Sequence, residues 1–388
     1  MTEPKCSVFG KCGGCFYQDK DYDAQLAIKK NAVKEEFMSK NLRVPEDVSV
    51  FFKSEFNYRN RMDFVFSGDG PGLRQRGMYS RIVEIDECMI ASPGVNDLLK
   101  EVKSWFEDNK KELDVFSVVK NTGTLRYSVI RSSFFSGDSC VTFILNKDSD
   151  RIAENKKIIE KFALNTGAAN VLVGYVKHNT DVSVSSEYEV LKKGAVMKER
   201  LGPYVFRYHS QDFFQNNSAV AMDMIYYIKE QVKEKYDVIT DLFGGAGTFG
   251  IHLSGAADKV MIIDSSASGI ECAEKNIADN GIKNASAHKI NAKELYAFEE
   301  KFKGKKCFFV LDPPRAGLHK KTVKFLKKIK PEKMVYVSCN PRQLASDISV
   351  LKDTYDYSDP VVFDMFPQTK HVESICVLEL KKGQEEKK

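Results

Sequence analysis

The sequence predicts an α/β protein in two parts, a strand-rich α+β region followed by a doubly wound, mostly parallel sheet. Beyond about residue 208, short apolar strands alternate with helical segments, which is typical of a parallel sheet covered on both faces. Before that point, strand-like runs and turns predominate. A glycine-rich turn follows the first strand of the second part, as in nucleotide-binding sheets. We therefore expect two regions, 1–208 and 209–388.

The composition is typical of a globular protein. The 388 residues carry a formal net charge of +5, with 43% apolar and 29% charged side chains, which excludes a disordered or fibrous chain. No uncharged apolar run approaches the roughly 18 residues that a transmembrane helix needs. The opening segment MTEPKCSVFG lacks the basic and apolar parts of a secretory signal. We therefore expect a cytoplasmic protein with no membrane partner.

The first region is expected to contain three helices separated by strands and turns. Apolar residues recur at helical spacing over 22–38, and further helices are predicted at about 95–109 and 151–164. Residue patterns predict strands in RMDFVF, RIVEI, SVVKNTG, RYSVIRSS, CVTFILN, NVLVGYV and YVFRYH.

In the second region, strands and helices are expected to alternate. A helix over 218–234 comes first, and later helices are predicted at about 247–254, 266–280, 320–329 and 341–352. The predicted strands are DVITDLF, KVMIID, ASAHKI, CFFVLD, MVYVSC and ICVLEL. These short strands are mostly apolar, so both of their faces are expected to be buried.

The turn GGAGTFG, after the first of these strands, is a candidate nucleotide site. Glycines there let backbone N–H groups and a helix N-terminus approach a ligand closely. Asp264 follows about twenty residues later, at the end of KVMIID, where it could bind ribose hydroxyls. The motif leaves open a dinucleotide, S-adenosylmethionine, or a turn built only for packing.

Three reactive side chains are expected at the carboxyl edge of the same sheet, where ligands bind. Asp312 begins the stiff DPPR turn, Cys339 follows the strand MVYVS, and Glu373 immediately precedes the last apolar strand. A cysteine in such a strand usually packs in the core without a chemical role, but the position of Cys339 at this edge argues against that role. A partly desolvated Glu373 would suit a proton acceptor.

Thiols and basic residues are distributed unevenly along the chain. Three of the nine cysteines lie within the first fifteen residues as C-x5-C-x2-C, and a disulfide framework is not expected in a cytosolic chain. Residues 301–333 hold twelve Lys and Arg against two acidic residues. This excess would attract phosphates, although a solvated helix face would have the same composition.

Eight short segments together resemble the S-adenosylmethionine-dependent RNA uridine-C5 methyltransferases, which form 5-methyluridine in ribosomal and transfer RNA. They occur in the family's order and span nearly the whole chain: CSVFGKCGGC, YRNRMDF, IDEC, QDFFQNN, DLFGGAGTFG, LDPPRAGL, VSCNP and FPQTKHVES. The resemblance implies a Rossmann-like S-adenosylmethionine-dependent catalytic domain in 209–388. It also implies an iron–sulfur and RNA-binding region in 1–208.

The resemblance further implies a role for each candidate residue. Cys339 matches the nucleophile that adds covalently to C6 of uracil, and Glu373 matches the base that removes the C5 proton. Thr248 stands where the family commonly has the longer Asn, so it departs from the family's pattern. The positions that contact S-adenosylmethionine in the family correspond here to Gln215, Phe243, Thr248, Asp264, Asn291 and Asp312.

A [4Fe–4S] cluster held by four cysteines is also implied by the resemblance. Its ligands would be Cys6, Cys12, Cys15 and Cys88, since four thiolates are the usual ligand set of such a cluster. The glycines between Cys12 and Cys15 would let the chain wrap closely around it. Zinc is the alternative, because four cysteines also form structural zinc sites.

RNA is the expected partner of a protein that is a monomer by default. The cluster-bearing branch resembles the enzymes that act on large-subunit ribosomal RNA. We therefore expect 23S ribosomal RNA as the substrate first, and uridine 54 of transfer RNA is the alternative. No room is expected for the amino-terminal β-barrel of many relatives, so RNA contacts should come from the central region and from 301–333. A nicotinamide-dependent oxidoreductase and a non-catalytic RNA-binding iron–sulfur protein are the alternatives from other classes.

Overall fold

The computed structural model describes residues 2–383, so 384–388 of the second predicted region lie outside the described residues. The helices are α1 (Tyr22–Ser39), α2 (Pro93–Asn109), α3 (Ile152–Asn165), α4 (Ser218–Glu230), α5 (Thr248–His252), α6 (Ala267–Asp279), α7 (Lys320–Ile329) and α8 (Pro341–Leu351). Short 3-10 helices cover Ser254–Ala256 and Ala292–Lys301.

The strands of the first half are β1 (Val50–Phe51), β2 (Arg61–Ser67), β3 (Gly70–Gln75), β4 (Met78–Glu84), β5 (Leu125–Ser132), β6 (Ser139–Asn146), β7 (Asn170–Val176), β8 (Tyr188–Lys192), β9 (Val196–Leu201) and β10 (Tyr204–His209). Those of the second half are β11 (Tyr236–Leu242), β12 (Ala257–Asp264), β13 (Ala285–Lys289), β14 (Cys307–Leu311), β15 (Lys333–Ser338), β16 (Tyr355–Tyr357), β17 (Val361–Phe363) and β18 (Glu373–Leu380).

The eight predicted helices are confirmed, although α4 ends four residues earlier than expected. The predicted strand SVVKNTG is wrong, because this segment folds back on itself as a turn. The Ser117 N–H donates to the Thr122 carbonyl, and the Asn121 N–H donates to the Ser117 carbonyl, both at 2.7 Å. Asn121 and Gly123 have φ angles of 57° and 106°, in the left-handed region that a continuous strand does not use.

The first sheet has seven strands in the order β4-β3-β2-β5-β6-β7-β8. All neighbours are antiparallel except β6 and β7, which are parallel and connected through α3. Trp105 of α2 packs among three phenylalanines, with ring centroids 4.8 Å from Phe143, 5.6 Å from Phe162 and 6.3 Å from Phe66. Aromatic packing thus joins both helices to one face of this sheet.

The second sheet is mixed and follows the order β1-β17-β18-β15-β14-β11-β12-β13, with β16 also paired to β18. Strands β11 to β15 are parallel to their neighbours in that set, whereas β18 is antiparallel to each strand it pairs with. The chain adds β12 and then β13 on one side of β11, and it then returns to add β14 on the other side. The carboxyl ends of β11 and β14 therefore form the crevice in which such sheets bind ligands.

The amino-terminal segment contributes to this second sheet. Strand β1 pairs in parallel with β17, and α1 packs against α8 through a core that includes Val33, Phe37, Leu344 and Ile348. Residues 22–51 thus lie on the second sheet although they precede residue 208 in the chain. The division at residue 208 stays a prediction.

Within residues 2–383, no helix is both long enough and apolar enough to cross a membrane.

Candidate active site

Two carboxylates shape the turn after β11. Asp241 is fully buried and accepts a hydrogen bond of 2.7 Å from the backbone N–H of Gly250. A side chain at Gly244 would not fit, because its Cβ would lie 2.8 Å from Asp241 Cγ. Asp264, at the end of β12, accepts a bond of 3.0 Å from the N–H of Gly245. These bonds hold the glycine turn against the carboxyl ends of β11 and β12.

A cavity of about 140 Å³ opens beside this turn. Phe243 and Asp264, two of the predicted cofactor contacts, line it. The cavity wall also includes side chains that were not predicted as site residues, namely Tyr208, His209, Asp212, Phe213, Ser266 and Cys272. Asp212 and Phe213 belong to the QDFFQNN segment, so that motif held the signal that could have identified them.

The other four predicted cofactor contacts lie outside the lining of this cavity. Gln215 precedes α4 and is half-buried, and Thr248 is the first residue of α5. Asn291 is exposed and accepts a hydrogen bond of 3.0 Å from the N–H of Lys293, which caps the following helical turn. Asp312 follows β14 at the crevice. Cofactor contact by these four residues stays a prediction.

Antiparallel pairing brings Cys339 and Glu373 together. The pairing of β15 with β18 ends with Ser338 opposite Ser374, so Cys339 and Glu373 come next at the sheet edge. Glu373 is only 7% exposed, whereas Cys339 is half-buried. Asp312 leaves the same edge from β14, the neighbour of β15. The three predicted reactive residues therefore meet at one end of the sheet, although this placement does not test their roles.

Burial disfavours the ionised forms of the thiol and of the glutamic acid in this arrangement. Burial, with Glu373 and Asp312 nearby, raises the pKa of Cys339 to about 11, and the Arg315 guanidinium opposes the shift. Burial, followed by the nearby Asp312, raises the pKa of Glu373 well above its usual range. Each group must therefore lose its proton to a partner, or gain a neighbouring cation, before it can act as nucleophile or base.

The crevice also holds aspartates that disfavour each other's ionisation. Burial, with Asp241 and Asp264 nearby, raises the pKa of Asp312 to about 7. Burial also raises the pKa of Asp241 to about 7, against the opposing hydrogen bond from Gly250. Like charges this close repel, so a cation placed among them would favour the ionised carboxylates. The crevice is therefore suited to a positively charged ligand.

Hydrogen bonds connect the DPPR turn with the Cys339 turn. Asn340 Nδ2 donates to the Arg315 carbonyl at 3.0 Å. Asp347 of α8 accepts from the Leu318 N–H and from Gln343 Nε2, each at 2.9 Å. These contacts fix the two turns relative to each other. Asp347 was not predicted as a site residue; its signal in the sequence is an acidic residue on the buried face of a helix.

The four cysteines of the predicted cluster line one cavity of about 470 Å³. Cys12 and Cys88 are buried, and burial raises the pKa of Cys15 to about 12 and of Cys88 to about 11. Cys6, the fourth cysteine, also lines this cavity. Within residues 2–383, however, no three His, Cys, Asp or Glu side chains are arranged so that they could hold a metal ion. The structure therefore brings the four cysteines to one cavity, and the cluster stays a prediction.

Two features of this cavity fit a sulfur-rich group. The N–H of Gly14 donates to Cys12 Sγ at 3.3 Å, and backbone N–H groups of Ile90 and Ala91 oppose the rise in the pKa of Cys88. The Gln18 side chain, whose Nε2 is buried, opposes the rise in the pKa of Cys15 through a hydrogen bond. Such donors commonly bond the sulfurs of iron–sulfur clusters.

The basic segment 301–333 is partly neutralised by ion pairs. Lys328 Nζ lies 2.7 Å from a Glu299 carboxylate oxygen, and Lys306 pairs with Glu234. Helix α7 buries one side against the core and leaves most of its lysines at the surface. The arrangement is that of a solvated helix face, and RNA binding by it stays a prediction.

The glycine turn, the strand order and the crevice define a class of protein, the α/β S-adenosylmethionine-dependent methyltransferases. A family model described as tRNA (Uracil-5-)-methyltransferase matches residues 21–381. The chain therefore belongs to the tRNA (uracil-5-)-methyltransferase family, and it is an S-adenosylmethionine-dependent RNA uracil-C5 methyltransferase.

Individual relatives agree over almost the full chain. The tRNA (uracil(54)-C(5))-methyltransferase of Pyrococcus abyssi is 31% identical over 379 residues, which cover 97% of this chain and 85% of the relative. The Pyrococcus horikoshii protein of the same name is 32% identical and covers 96% and 85%. The crystal structure of the P. abyssi enzyme in complex with S-adenosyl-L-homocysteine matches with a TM-score of 0.76 and 30% identity, covering 95% of this chain and 86% of that one.

Proposed function

We propose that this enzyme methylates C5 of uridine 54 in transfer RNA. The support is that two relatives matched along almost the whole chain carry the name tRNA (uracil(54)-C(5))-methyltransferase. The first expectation from the sequence, 23S ribosomal RNA, has no support from these relatives. Transfer RNA, the alternative, therefore replaces it.

Cys339 is proposed as the nucleophile that makes uracil reactive. The thiol first gives its proton to solvent water; its sulfur then adds to C6 of the base, and the electron pair of the C5–C6 double bond moves to C5 and the O4 carbonyl as an enolate. C5 then attacks the methyl carbon of S-adenosylmethionine, the bond between that carbon and the sulfonium sulfur breaks with its electron pair left on sulfur, and S-adenosyl-L-homocysteine is the leaving group. Because the substituted C5 still carries its hydrogen, the product cannot leave until that proton is removed.

Glu373 is proposed as the base that completes the reaction. It takes the C5 proton, the electron pair restores the C5–C6 double bond, and the bond between C6 and sulfur breaks to release Cys339. The juxtaposition of Cys339 and Glu373 beyond the Ser338–Ser374 pair carries this assignment, because both groups must reach adjacent atoms of one base. Their target must be extruded from any base stack to reach this edge.

The acidic crevice supports a cationic methyl donor. Burial, followed by the neighbouring aspartates, raises the pKa of Asp312 to about 7. Burial, followed by Asp312, raises the pKa of Glu373. A bound sulfonium would stabilise the ionised Asp312 and lower the pKa of Glu373 toward the range in which it can accept a proton. Phe243 and Asp264, which line the cavity beside this crevice, are proposed to hold the cofactor, together with Gln215, Thr248 and Asn291.

We also propose a [4Fe–4S] cluster bound by Cys6, Cys12, Cys15 and Cys88. The support is their common cavity and the N–H donors that face its sulfurs. The buried thiols have raised pKa values, so their deprotonation would be coupled to metal binding. The region up to residue 208 is proposed to dock RNA, and the region from 209 onward to carry the chemistry.

The substrate proposal is tested with unmodified transcripts and radiolabelled S-adenosylmethionine. A transfer RNA transcript should incorporate about one methyl group per molecule, as expected for a single target uridine. The matched control transcript carries cytidine at position 54 and should incorporate none. Methylation of a 23S ribosomal RNA transcript with no methylation of transfer RNA would contradict the proposal.

A further inference from the structure

We propose that the amino-terminal segment holds the loop that leads to Glu373, and that Gln25 of α1 is a positioning residue for removal of the C5 proton. This inference rests on the proposed role of Glu373 as base. The loop spans residues 364–372, between β17 and β18, and has no regular secondary structure. Its shape must therefore come from contacts with other parts of the molecule.

Gln25 and Gln368 form a reciprocal buried pair. Gln25 Nε2 donates to Gln368 Oε1 at 3.0 Å, and the Gln368 N–H donates to Gln25 Oε1 at 3.1 Å. The two residues are 0% and 1% exposed. Gln368 has a φ angle of 67°, a conformation that an L residue adopts only when its surroundings hold it. The pair provides that constraint five positions before Glu373.

The cysteine-bearing segment holds the same residue from a second direction. The backbone N–H groups of Phe16 and Tyr17 both donate to the Gln368 carbonyl, at 2.7 and 3.2 Å. Phe16 follows Cys15 directly, so the wall of the cysteine cavity and the loop share a backbone connection. The side chain, the N–H and the carbonyl of Gln368 are thus all bonded to residues 16–25.

A buried ion pair anchors the start of the loop. Lys29 Nζ donates to Asp364 Oδ1 at 2.5 Å and to the Phe366 carbonyl at 2.8 Å, and both charged side chains are almost fully buried. Tyr22 donates its hydroxyl to Asp364 Oδ2 at 2.9 Å. Removing one partner of such a pair leaves a buried charge uncompensated, so this anchor is unsuitable for a selective test.

A third contact comes from the YRNRMDF segment. The Tyr58 hydroxyl donates to the Pro367 carbonyl at 2.9 Å. Two residues later, Asn60 Nδ2 donates to the Gln215 carbonyl at 3.0 Å. This segment therefore connects the loop before Glu373 with the QDFFQNN segment, although it lies far from both in sequence.

These contacts predict a defect confined to one chemical step. Addition of Cys339 and methyl transfer do not require Glu373 as base, whereas elimination of the cysteine does. Loosening the loop should therefore slow elimination and allow the covalent RNA–enzyme adduct to accumulate. A misplacement of about 1 Å can slow a reaction by roughly a hundredfold. The cavity lined by Phe243 and Asp264 does not include the loop, so cofactor affinity should be retained.

The test compares Gln25→Ala with Asn31→Ala, an exposed position on the same helix. We expect Gln25→Ala to lower kcat by about ten- to a hundredfold, with the KM for RNA falling in parallel, so that kcat/KM and the Kd for S-adenosylmethionine stay within twofold of wild type. The fraction of enzyme in an adduct that resists denaturing electrophoresis should rise with ordinary uridine RNA. Asn31→Ala should behave as wild type in all of these measurements.

Gln368→Gly provides a second variant if Gln25→Ala fails to fold. Glycine tolerates the φ of 67°, and the backbone bonds to Phe16 and Tyr17 are retained, so only the side-chain bonds are lost. A kcat within twofold of wild type in a folded variant would overturn the inference, as would a fall in kcat accompanied by an equal loss of cofactor affinity. If Glu373→Gln itself turns over normally, the proposed function fails instead.

Discussion

The carboxyl group of Glu373 and the thiol of Cys339 occupy neighbouring positions on antiparallel strands, one residue beyond the last pair of β15 and β18. This relationship differs from the usual arrangement at a parallel sheet edge, where neighbouring groups both follow the ends of their strands. Here Cys339 follows the end of β15, while Glu373 begins β18. Because β18 runs in the opposite direction, a nucleophile and a base from strands far apart in sequence can face the same base of RNA.

Replacing the nucleophile should abolish methyl transfer. Cys339→Ala removes the sulfur that adds to C6, so no enolate can form and turnover should fall below about one per cent of wild type. RNA containing 5-fluorouridine should form no covalent complex with the variant. S-adenosylmethionine should bind with a Kd within twofold of wild type, measured by calorimetry. Turnover well above that level would assign the nucleophile to another residue.

Replacing the base should trap the reaction instead of preventing it. Glu373→Gln keeps the size and polarity of the side chain but cannot accept the C5 proton. Methylated RNA should therefore remain attached to Cys339 and survive denaturing gel electrophoresis with ordinary uridine. The double variant Cys339→Ala with Glu373→Gln is the control and should give no adduct. Normal turnover without an adduct would show that another group removes the proton.

Binding of the methyl donor should depend on pH through the acidic crevice. Burial, with Asp241 and Asp264 nearby, raises the pKa of Asp312 to about 7, and a sulfonium would favour its ionised form. Affinity for S-adenosylmethionine should therefore increase as the pH rises from 6 to 8, with release of a proton seen as a buffer-dependent binding enthalpy. Asp312→Asn should flatten this dependence. An affinity independent of pH in the wild type would contradict it.

Much of the second sheet could be predicted because its strands carry their own signal. All five residues of β14 are buried, so the apolar run CFFVL identifies a strand without knowledge of its neighbours. The meeting of Asp312 and Cys339 also follows from sequence, since the carboxyl ends of parallel strands share one edge. The orientation of β18, and with it the exact neighbour of Cys339, depends on tertiary pairing.

Other features could not be predicted because they depend on contacts between distant residues. Strand β1 has only two residues, and its pairing of Val50 with Val362 joins positions 312 apart in sequence. Gln25 looks like any polar residue of a helix until Gln368, 343 positions away, is placed against it. The strand-like run SVVKNTG predicts a strand, whereas Asn121 and Gly123 adopt left-handed conformations that belong to a turn.

The buried Asp241 should make the protein less stable as the pH rises. Burial raises its pKa from 3.8 to about 7 in the folded state, so the folded protein binds more protons than the unfolded chain between these values. The free energy of unfolding should therefore fall across that window, by at most about 1.4 kcal/mol per pH unit from this group.

Asp241→Asn tests this effect, because the amide oxygen can still accept from the Gly250 N–H. Urea unfolding between pH 5 and 8 should show a smaller decline for this variant than for wild type. Asp258→Asn, at an exposed site, is the matched control and should keep the wild-type decline. Equal slopes for all three proteins would mean that Asp241 is ionised throughout, against the expectation from its burial.

The cysteine cavity should bind iron when the protein is purified without oxygen. Four thiolates are the ligand set of a [4Fe–4S] cluster, so about four irons per chain and a brown colour are expected. Cys88→Ala should lose the iron, because Cys88 lies some seventy residues after the other three ligands and its bond closes that long loop. Cys272→Ala, a buried cysteine outside this cavity, is the matched control and should retain the iron.

Methyl transfer needs no electron, and the glycine turn lies apart from this cavity, so any folded Cys88→Ala protein should still bind S-adenosylmethionine. Stoichiometric zinc without iron after anaerobic purification would assign the cavity to zinc and leave the methyltransferase reaction unaffected.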